Sequence, residues 1–328
     1  MDIELLPKLS GHKRNLWEQL LRKVGLEADT QADSTLLVWD GDTLIAVGSR
    51  LGNLLKCIAV DSNRRGEDLT ATVLTQLRQD ALQAGYRHLF LYTKPENRFL
   101  FSSLFFYPIA STDSVLLMEN QPNGIGTFLS TLPAAAVEGV VGAVVMNCNP
   151  FTLGHRYLIE TAAKECDKLY VFILSEDCSH FKTEDRIAMV KAGTQDLDNV
   201  TVLPTGPYLI SAATFPTYFL KDRAEANTVQ CELDVAVFGT HYAPKFAITR
   251  RYVGTEPFCK VTAQYNEIMQ KKLPAYGISL REIPRLETEN APVSATTVRQ
   301  LLAEGRTADI QSLVPQTTFV YLRDHNLL

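Results

Sequence analysis

Apolar positions in the first third of the chain fall into two rhythms. Trp17, Leu20, Leu21 and Val24 recur at helical spacing, which predicts an amphipathic helix over residues 14–24. Leu36–Val38 and Leu44–Val47 are short apolar runs on either side of Asp40-Gly41-Asp42, a turn sequence, and read as a hairpin. Leu54–Val60 follows as a further strand. A polar turn, a helix from about Leu69 to Ala84 and the strand His88–Tyr92 come next. Strands and helices in this order predict an α+β domain.

Glu119-Asn120-Gln121-Pro122-Asn123-Gly124 concentrates breaking residues, and Pro133-Ala134-Ala135-Ala136 follows a short apolar segment. The expected organisation is a first domain over residues 1–120, a linker over 121–137 and a second domain over 138–328. In that second domain the buried-strand runs Val140–Val145, Leu169–Leu174, Val200–Leu203 and Val235–Gly239 alternate with helical patterns at 155–166, 184–192 and 214–221. Such alternation predicts an α/β domain built on a doubly wound parallel sheet. There is no internal repeat and no low-complexity tract.

Hydrophobic residues make up 46% of the chain and charged residues 21%, as in ordinary globular proteins, and 328 residues suffice for two domains. The formal net charge of -5 supplies no basic field, so nucleic acid and anionic lipid are not expected partners. Met1-Asp2-Ile3-Glu4 carries no cationic segment ahead of an apolar run. No uninterrupted apolar stretch approaches the roughly 18 residues of a membrane span. A soluble, cytoplasmic protein is expected. Six cysteines are scattered without a CxxC pair, which argues for free thiols and against a zinc site or a disulfide framework. No metal ligand is assigned. Cys148 lies beside the main motif, but nothing in the sequence lowers its pKa, so a catalytic thiol there is the minor reading.

Val140–Val145 runs into Asn147-Cys148-Asn149-Pro150-Phe151-Thr152-Leu153-Gly154-His155 and then directly into a helix carrying Tyr157, Leu158 and Ala162. A strand, a tight loop and a helix N-terminus bring unpaired N–H groups to the carboxyl edge of a sheet, where phosphate binds readily. Gly154 permits close approach, while His155 and Thr152 offer donors to a reacting α-phosphate. Helix capping by Thr152 and packing by His155 is the plainer alternative. Near the end of the chain, Ser294 or Thr296 is placed to cap a helix that carries Arg299 about one turn inside, and Arg299 addresses phosphate with a planar fork.

Thr152-Leu153-Gly154-His155 resembles the T/HxGH signature of the nucleotidyltransferase superfamily, and Ser294–Arg299 resembles its SxTxxR signature. The resemblance implies attack of a nucleophile on the α-phosphorus of ATP, with pyrophosphate leaving. It extends to the citrate lyase ligase family through Ser175-Glu176-Asp177, Phe181–Val190, Asn199–Pro204, Ile210–Lys221, Arg251–Asn266 and Val293–Leu302. It implies catalytic roles for His155, Thr152 and Arg299, and nucleotide contacts from Asn149, Pro150, Phe151, Gly154, Ser294, Thr296 and Thr297. Residues 213–221 become a candidate wall of an acetate pocket. Gly254, Thr255 and Glu256, expected after a helical stretch, become candidates for adenine or ribose contact, with a plain surface loop as the alternative. His180 and Lys182 match the superfamily's basic positions only loosely.

Residues 10–118 resemble the GNAT acetyltransferase fold, with Leu54–Val60 as the central strand and Asn63-Arg64-Arg65-Gly66-Glu67-Asp68 at the pyrophosphate-binding loop. Asn63 and Asp68 depart from the Q/RxxGxG/A pattern, and Asp68 sets a negative charge where phosphate would lie. Strong acetyl-CoA binding is therefore not expected, although a pantetheine-bearing arm fits such a domain. Taken together, the family resemblance implies that ATP, bound with Mg2+, activates acetate. The acetyl group then passes to a dephospho-CoA-derived thiol on the acyl carrier subunit of citrate lyase. Two alternatives remain open at this point. One is an adenylyltransferase acting on phosphopantetheine or nicotinamide mononucleotide, and the other is a noncatalytic carrier- or nucleotide-binding module.

Overall fold

Two units, each with its own hydrophobic core, divide the chain: Met1–Thr127 with Ser211–Ala236, and Phe128–Ile210 with Val237–Leu328. The computed structural model describes residues 1–64, 67–175, 179–209, 226–256, 260–288 and 291–328.

The first unit contains β1 (Asp2–Leu6), α1 (Gly11–Lys23), β2 (Ser34–Asp40), β3 (Thr43–Leu51), β4 (Leu54–Val60), α2 (Leu69–Gln83), β5 (Phe90–Thr93), α3 (Arg98–Ser103), β6 (Tyr107–Ser111) and β7 (Leu116–Glu119). Its seven strands lie in the order β1-β2-β3-β4-β5-β7-β6. Every neighbouring pair is antiparallel except β4 and β5, whose parallel ladder is confined to Leu54↔Phe90 and Leu55↔Leu91. The two strands diverge beyond that ladder and open a cleft of about 730 Å³, lined in part by Ala59, Val60, Arg64, Asp68, Tyr92 and Asn97. Helix α2 buries Leu69, Val73, Leu74, Leu77 and Ala81, the i, i+4 spacing of one face, against this sheet. Each such leucine contributes about 1.5–3 kcal/mol of burial. The α+β class expected for this part is the one observed.

Helix α4 (Gly124–Thr131) carries the chain towards the second sheet. There follow β8 (Val141–Met146), α5 (Leu153–Lys164), β9 (Lys168–Ile173), α6 (Thr183–Ala192), β10 (Val200–Pro204), α7 (Ala226–Val237), α8 (Ala243–Phe246), β11 (Arg250–Gly254), α9 (Lys260–Lys272), β12 (Ser279–Ile283) and α10 (Ala295–Ala303). The sheet order is β10-β9-β8-β11-β12, and every pair is parallel. The expected doubly wound α/β sheet is therefore present. Its winding reverses between β8 and β11, and ligands of such sheets bind in the crevice outside the carboxyl ends at that reversal.

Two local expectations fail. Val235–Gly239 is not a strand: the end of α7 runs into a short π-helical turn, Phe238–Tyr242. Leu233, Val235, Val237 and Phe238 are all buried, and an apolar run buried all round reads alike as strand or helix. The strands that complete the sheet are Arg250–Gly254 and Ser279–Ile283. In consequence Gly254 ends a strand that Thr255 and Glu256 follow, and no helical stretch precedes them directly. The helix expected at 214–221 lies outside the described residues.

Candidate active site

The loop after β8 is shaped by its own sequence. Cys148 adopts a left-handed conformation (φ 52°), Asn149-Pro150 is a cis peptide, and Cys148, Pro150 and Phe151 are buried. Burial pushes the Cys148 thiol far above its usual range, which removes it as a nucleophile. The side-chain oxygen of Asn149 accepts the Phe181 N–H (3.0 Å), which ties this loop to the one that follows β9. Arg186, fully buried on α6, draws the same two loops together. It donates to Asn147 O (2.9 Å), Asn147 Oδ1 (2.6 Å), Leu174 O (2.7 Å), Phe181 O (3.1 Å) and Thr183 Oγ1 (2.8 Å).

Thr152 is the N-cap of α5, and with His155 it forms a capping box. The Thr152 hydroxyl oxygen accepts the His155 N–H (3.4 Å), and His155 Nδ1 accepts the Thr152 N–H (3.1 Å). Because Nδ1 already accepts a backbone donor it carries no proton, so the Thr152 hydroxyl, 2.9 Å away, donates to it as well. The neutral imidazole consequently bears its proton on Nε2. Burial, and then the nearby charge of Arg285, lower the His155 pKa to about 4, so the ring is neutral at physiological pH. Thr152 is itself 1% exposed, and its hydroxyl is engaged with His155. The ring of Phe151 stacks beside His155, with centroids 6.1 Å apart and planes at 15°.

The second signature segment meets the first. Arg299 donates through Nη1 to the backbone oxygen of Asn149 and through Nη2 to Thr296 Oγ1 (3.0 Å). A Cβ placed on Gly154 would lie 3.3 Å from Val293 O, so glycine lets the start of α5 pass close to the strand-like lead-in of α10. Ser294 caps α10 by accepting the Thr296 N–H (3.1 Å), while Thr296 and Thr297 are exposed at the same helix end. Residues about 150 apart in sequence thus join two helix N-termini, an imidazole donor and a guanidinium at one sheet edge. Oriented N–H groups and cationic forks in this arrangement stabilise negative charge that grows on phosphate.

Gly254 ends β11 at that edge, and among the described residues nothing lies within 4 Å of the position its Cβ would take, which leaves room beside the backbone. The side chain of Glu256 is only 6% exposed and pairs with Arg285, which also donates through Nε to Thr255 O (2.9 Å). Arg285 was not singled out from the sequence. Its one local signal is its place two residues past Ile283, the end of a parallel strand. Lys182, by contrast, is exposed and only loosely paired with Glu184 at 3.9 Å. Among the described residues no group of three or more His, Cys, Asp or Glu side chains gathers to hold a metal ion. Residues 213–221, together with Glu176, Asp177 and Pro257-Phe258-Cys259, lie outside the described residues.

In the first unit, Arg64 forms ion pairs with Asp40 and Glu67, and Asp68 is exposed in a left-handed conformation (φ 53°) ahead of α2. Glu67 and Asp68 therefore set two carboxylates just ahead of that helix, and the guanidinium of Arg64 is occupied. Arg65 and Gly66 lie outside the described residues. Among the described residues no helix is long and apolar enough to cross a membrane.

Comparison with known proteins gives three kinds of match. The family model described as the citrate lyase ligase C-terminal domain matches residues 141–322. The [Citrate [pro-3S]-lyase] ligase of Escherichia coli K12 is 41% identical over 313 residues, covering 93% of this chain and 89% of that protein. The protein of the same name from Klebsiella pneumoniae is 39% identical, covering 94% and 92%. Among solved structures, Escherichia coli ElaA matches 37% of this chain and 99% of its own at 15% identity and a TM-score of 0.33. Thermotoga maritima TmcAL, bound with alpha-thio ATP, matches 57% of this chain and 56% of its own at 17% identity and a TM-score of 0.37. On the strength of the family match and of relatives near 40% identity over almost its whole length, the chain belongs to the citrate lyase ligase family of enzymes.

Proposed function

We propose that this chain acetylates the prosthetic-group thiol on the acyl carrier subunit of citrate lyase, in the cytoplasm, in two half-reactions. In the first, an acetate oxygen attacks the α-phosphorus of MgATP, the bond to the bridging oxygen breaks, and pyrophosphate leaves with that bond's electrons. The product is acetyl adenylate. In the second, the carrier thiol gives up its proton and its sulfur attacks the acetyl carbon. AMP leaves, and a thioester remains.

The observation that carries this reading is the meeting of the two signature segments, in which Arg299 is bonded to the Asn149 carbonyl beside the Thr152–His155 turn. His155 donates from Nε2 to the α-phosphate as charge builds there. Thr152 acts through His155, holding Nδ1 so that the proton stays on Nε2. Arg299 fixes the loop and faces the phosphates with its remaining donors. The backbone of Asn149, Pro150, Phe151 and Gly154 shapes the phosphate cradle, and Ser294, Thr296 and Thr297 close it from the other helix end. Gly254 borders the nucleoside. Mg2+ enters with ATP as part of the substrate, and the reaction depends on positioned donors more than on covalent help.

The test is incubation of the purified chain with ATP, magnesium, acetate and a deacetylated carrier, followed by mass measurement of the carrier. A carrier heavier by one acetyl group, formed only when ATP and acetate are both present, is the expected result. An unmodified carrier, or a dinucleotide formed without acetate, overturns the reading.

A further inference from the structure

The ends of β8, β11 and β12 lie side by side at one sheet edge, and polar groups follow each: the Thr152–His155 turn in the loop after β8, Glu256 two residues past β11 and Arg285 two residues past β12. The guanidinium of Arg285 is held from two sides. Its Nε donates to Thr255 O (2.9 Å), one of its Nη2 protons goes to the Glu256 carboxylate, and its backbone N–H donates to Thr255 Oγ1 (3.2 Å). No hydrogen bond engages Nη1 among the described residues, and the side chain is 34% exposed while Glu256 is 6% exposed. A five-donor fork with one side anchored and the other open is a preorganised anion receptor, because the entropy of orienting it is already lost in the free protein.

We propose that Arg285 is a phosphate-binding residue of the nucleotide site, and that Glu256 serves it as a positioning residue, aiming the open Nη1 donors at the triphosphate. The charge of Arg285 also helps hold the His155 ring neutral, which agrees with the two following strand ends on either side of β11. Glu256 then binds no part of the nucleoside. Its buried carboxylate fixes the fork, and the carboxylate charge also keeps the empty site from carrying an uncompensated cation. The inference rests on the reading that the second unit binds MgATP and adds a residue that neither signature contains.

Calorimetric titration of the full chain with MgATP, magnesium pyrophosphate and adenosine tests it, with far-UV circular dichroism and the melting temperature as checks on folding. Arg285→Gln is expected to weaken MgATP and pyrophosphate binding on the order of ten- to a hundredfold, the range of a charge-assisted donor, and to leave adenosine binding within twofold. Arg285→Lys, which keeps the charge without the fork, is expected to fall between. Glu256→Gln is expected to weaken MgATP in wild-type protein and to add nothing once Arg285 is already Gln, since one residue acts through the other. Unchanged MgATP affinity in Arg285→Gln, equal losses for MgATP and adenosine, or losses from the two positions that add independently would overturn the proposal. Wild-type protein that binds no MgATP would instead remove the underlying reading, so the two failures are distinct.

Discussion

His155 shows how a side chain can serve the fold with one atom and leave another for the proposed chemistry. Its Nδ1 closes the capping box of α5 while Nε2 remains as donor. His155→Ala is therefore expected to lower acetate-dependent exchange between pyrophosphate and ATP about a hundredfold to a thousandfold, the usual effect of losing one preorganised donor. Its folding stability, read from urea unfolding, should fall only by what a lost cap costs, about 1 kcal/mol. Exchange at the wild-type rate would dismiss the role. Titration offers a second check. A neutral ring whose pKa is lowered to about 4, against an ordinary value of 6.5, takes up no proton between those pH values while the unfolded chain does. The stability contributed by this position is thus complete above about pH 6.5 and is lost as pH falls towards 4. Proton NMR should place the His155 midpoint near 4, and Arg285→Gln should move it upward. A midpoint near the ordinary value would contradict the geometry.

Among the elements, the junction after β8 depends on Arg186 more than on either signature. Arg186→Leu leaves the carbonyls of Asn147, Leu174 and Phe181 without their donor in a buried setting, a change expected to cost about 3 kcal/mol or more. Urea unfolding reads this as a lower midpoint at constant slope. Arg281→Ala breaks an exposed pair with Glu165 at 3.3 Å and should cost under about 1 kcal/mol, which makes it the natural control. Equal losses from the two variants would show that Arg186 does not join the loops. The sequence disclosed β8, the capped turn and α5 because strand, cap and helix leave contiguous marks. It mistook Val235–Gly239 for a strand, since burial on every side erases the difference in period. Arg285 left no local mark beyond its place after a strand, because its significance depends on three strand ends becoming neighbours. Glu256 carried a signal of polarity but none of its partner.

For the molecule as a whole, the division into two units assigns the proposed nucleotide site to the second alone, since every residue invoked for it lies in Phe128–Ile210 or Val237–Leu328. The chain has two tryptophans, Trp17 and Trp39, and both belong to the first unit, Trp17 packed at 2% exposure on α1. Tryptophan fluorescence therefore follows the first unit, whereas far-UV circular dichroism follows both. A ligand that binds only folded protein stabilises it by RT ln(1 + [L]/Kd), about 2.7 kcal/mol at a hundredfold excess over Kd. On the proposed reading MgATP binds the second unit, so the dichroism-detected thermal transition should move to higher temperature by more than the fluorescence-detected one. Arg299→Ala should reduce that difference, because it removes the fork proposed to face the phosphates and the clasp on Asn149 together. Equal shifts in both signals would mean that the cores melt as one cooperative body, and a larger shift in the fluorescence would move the nucleotide to the first unit.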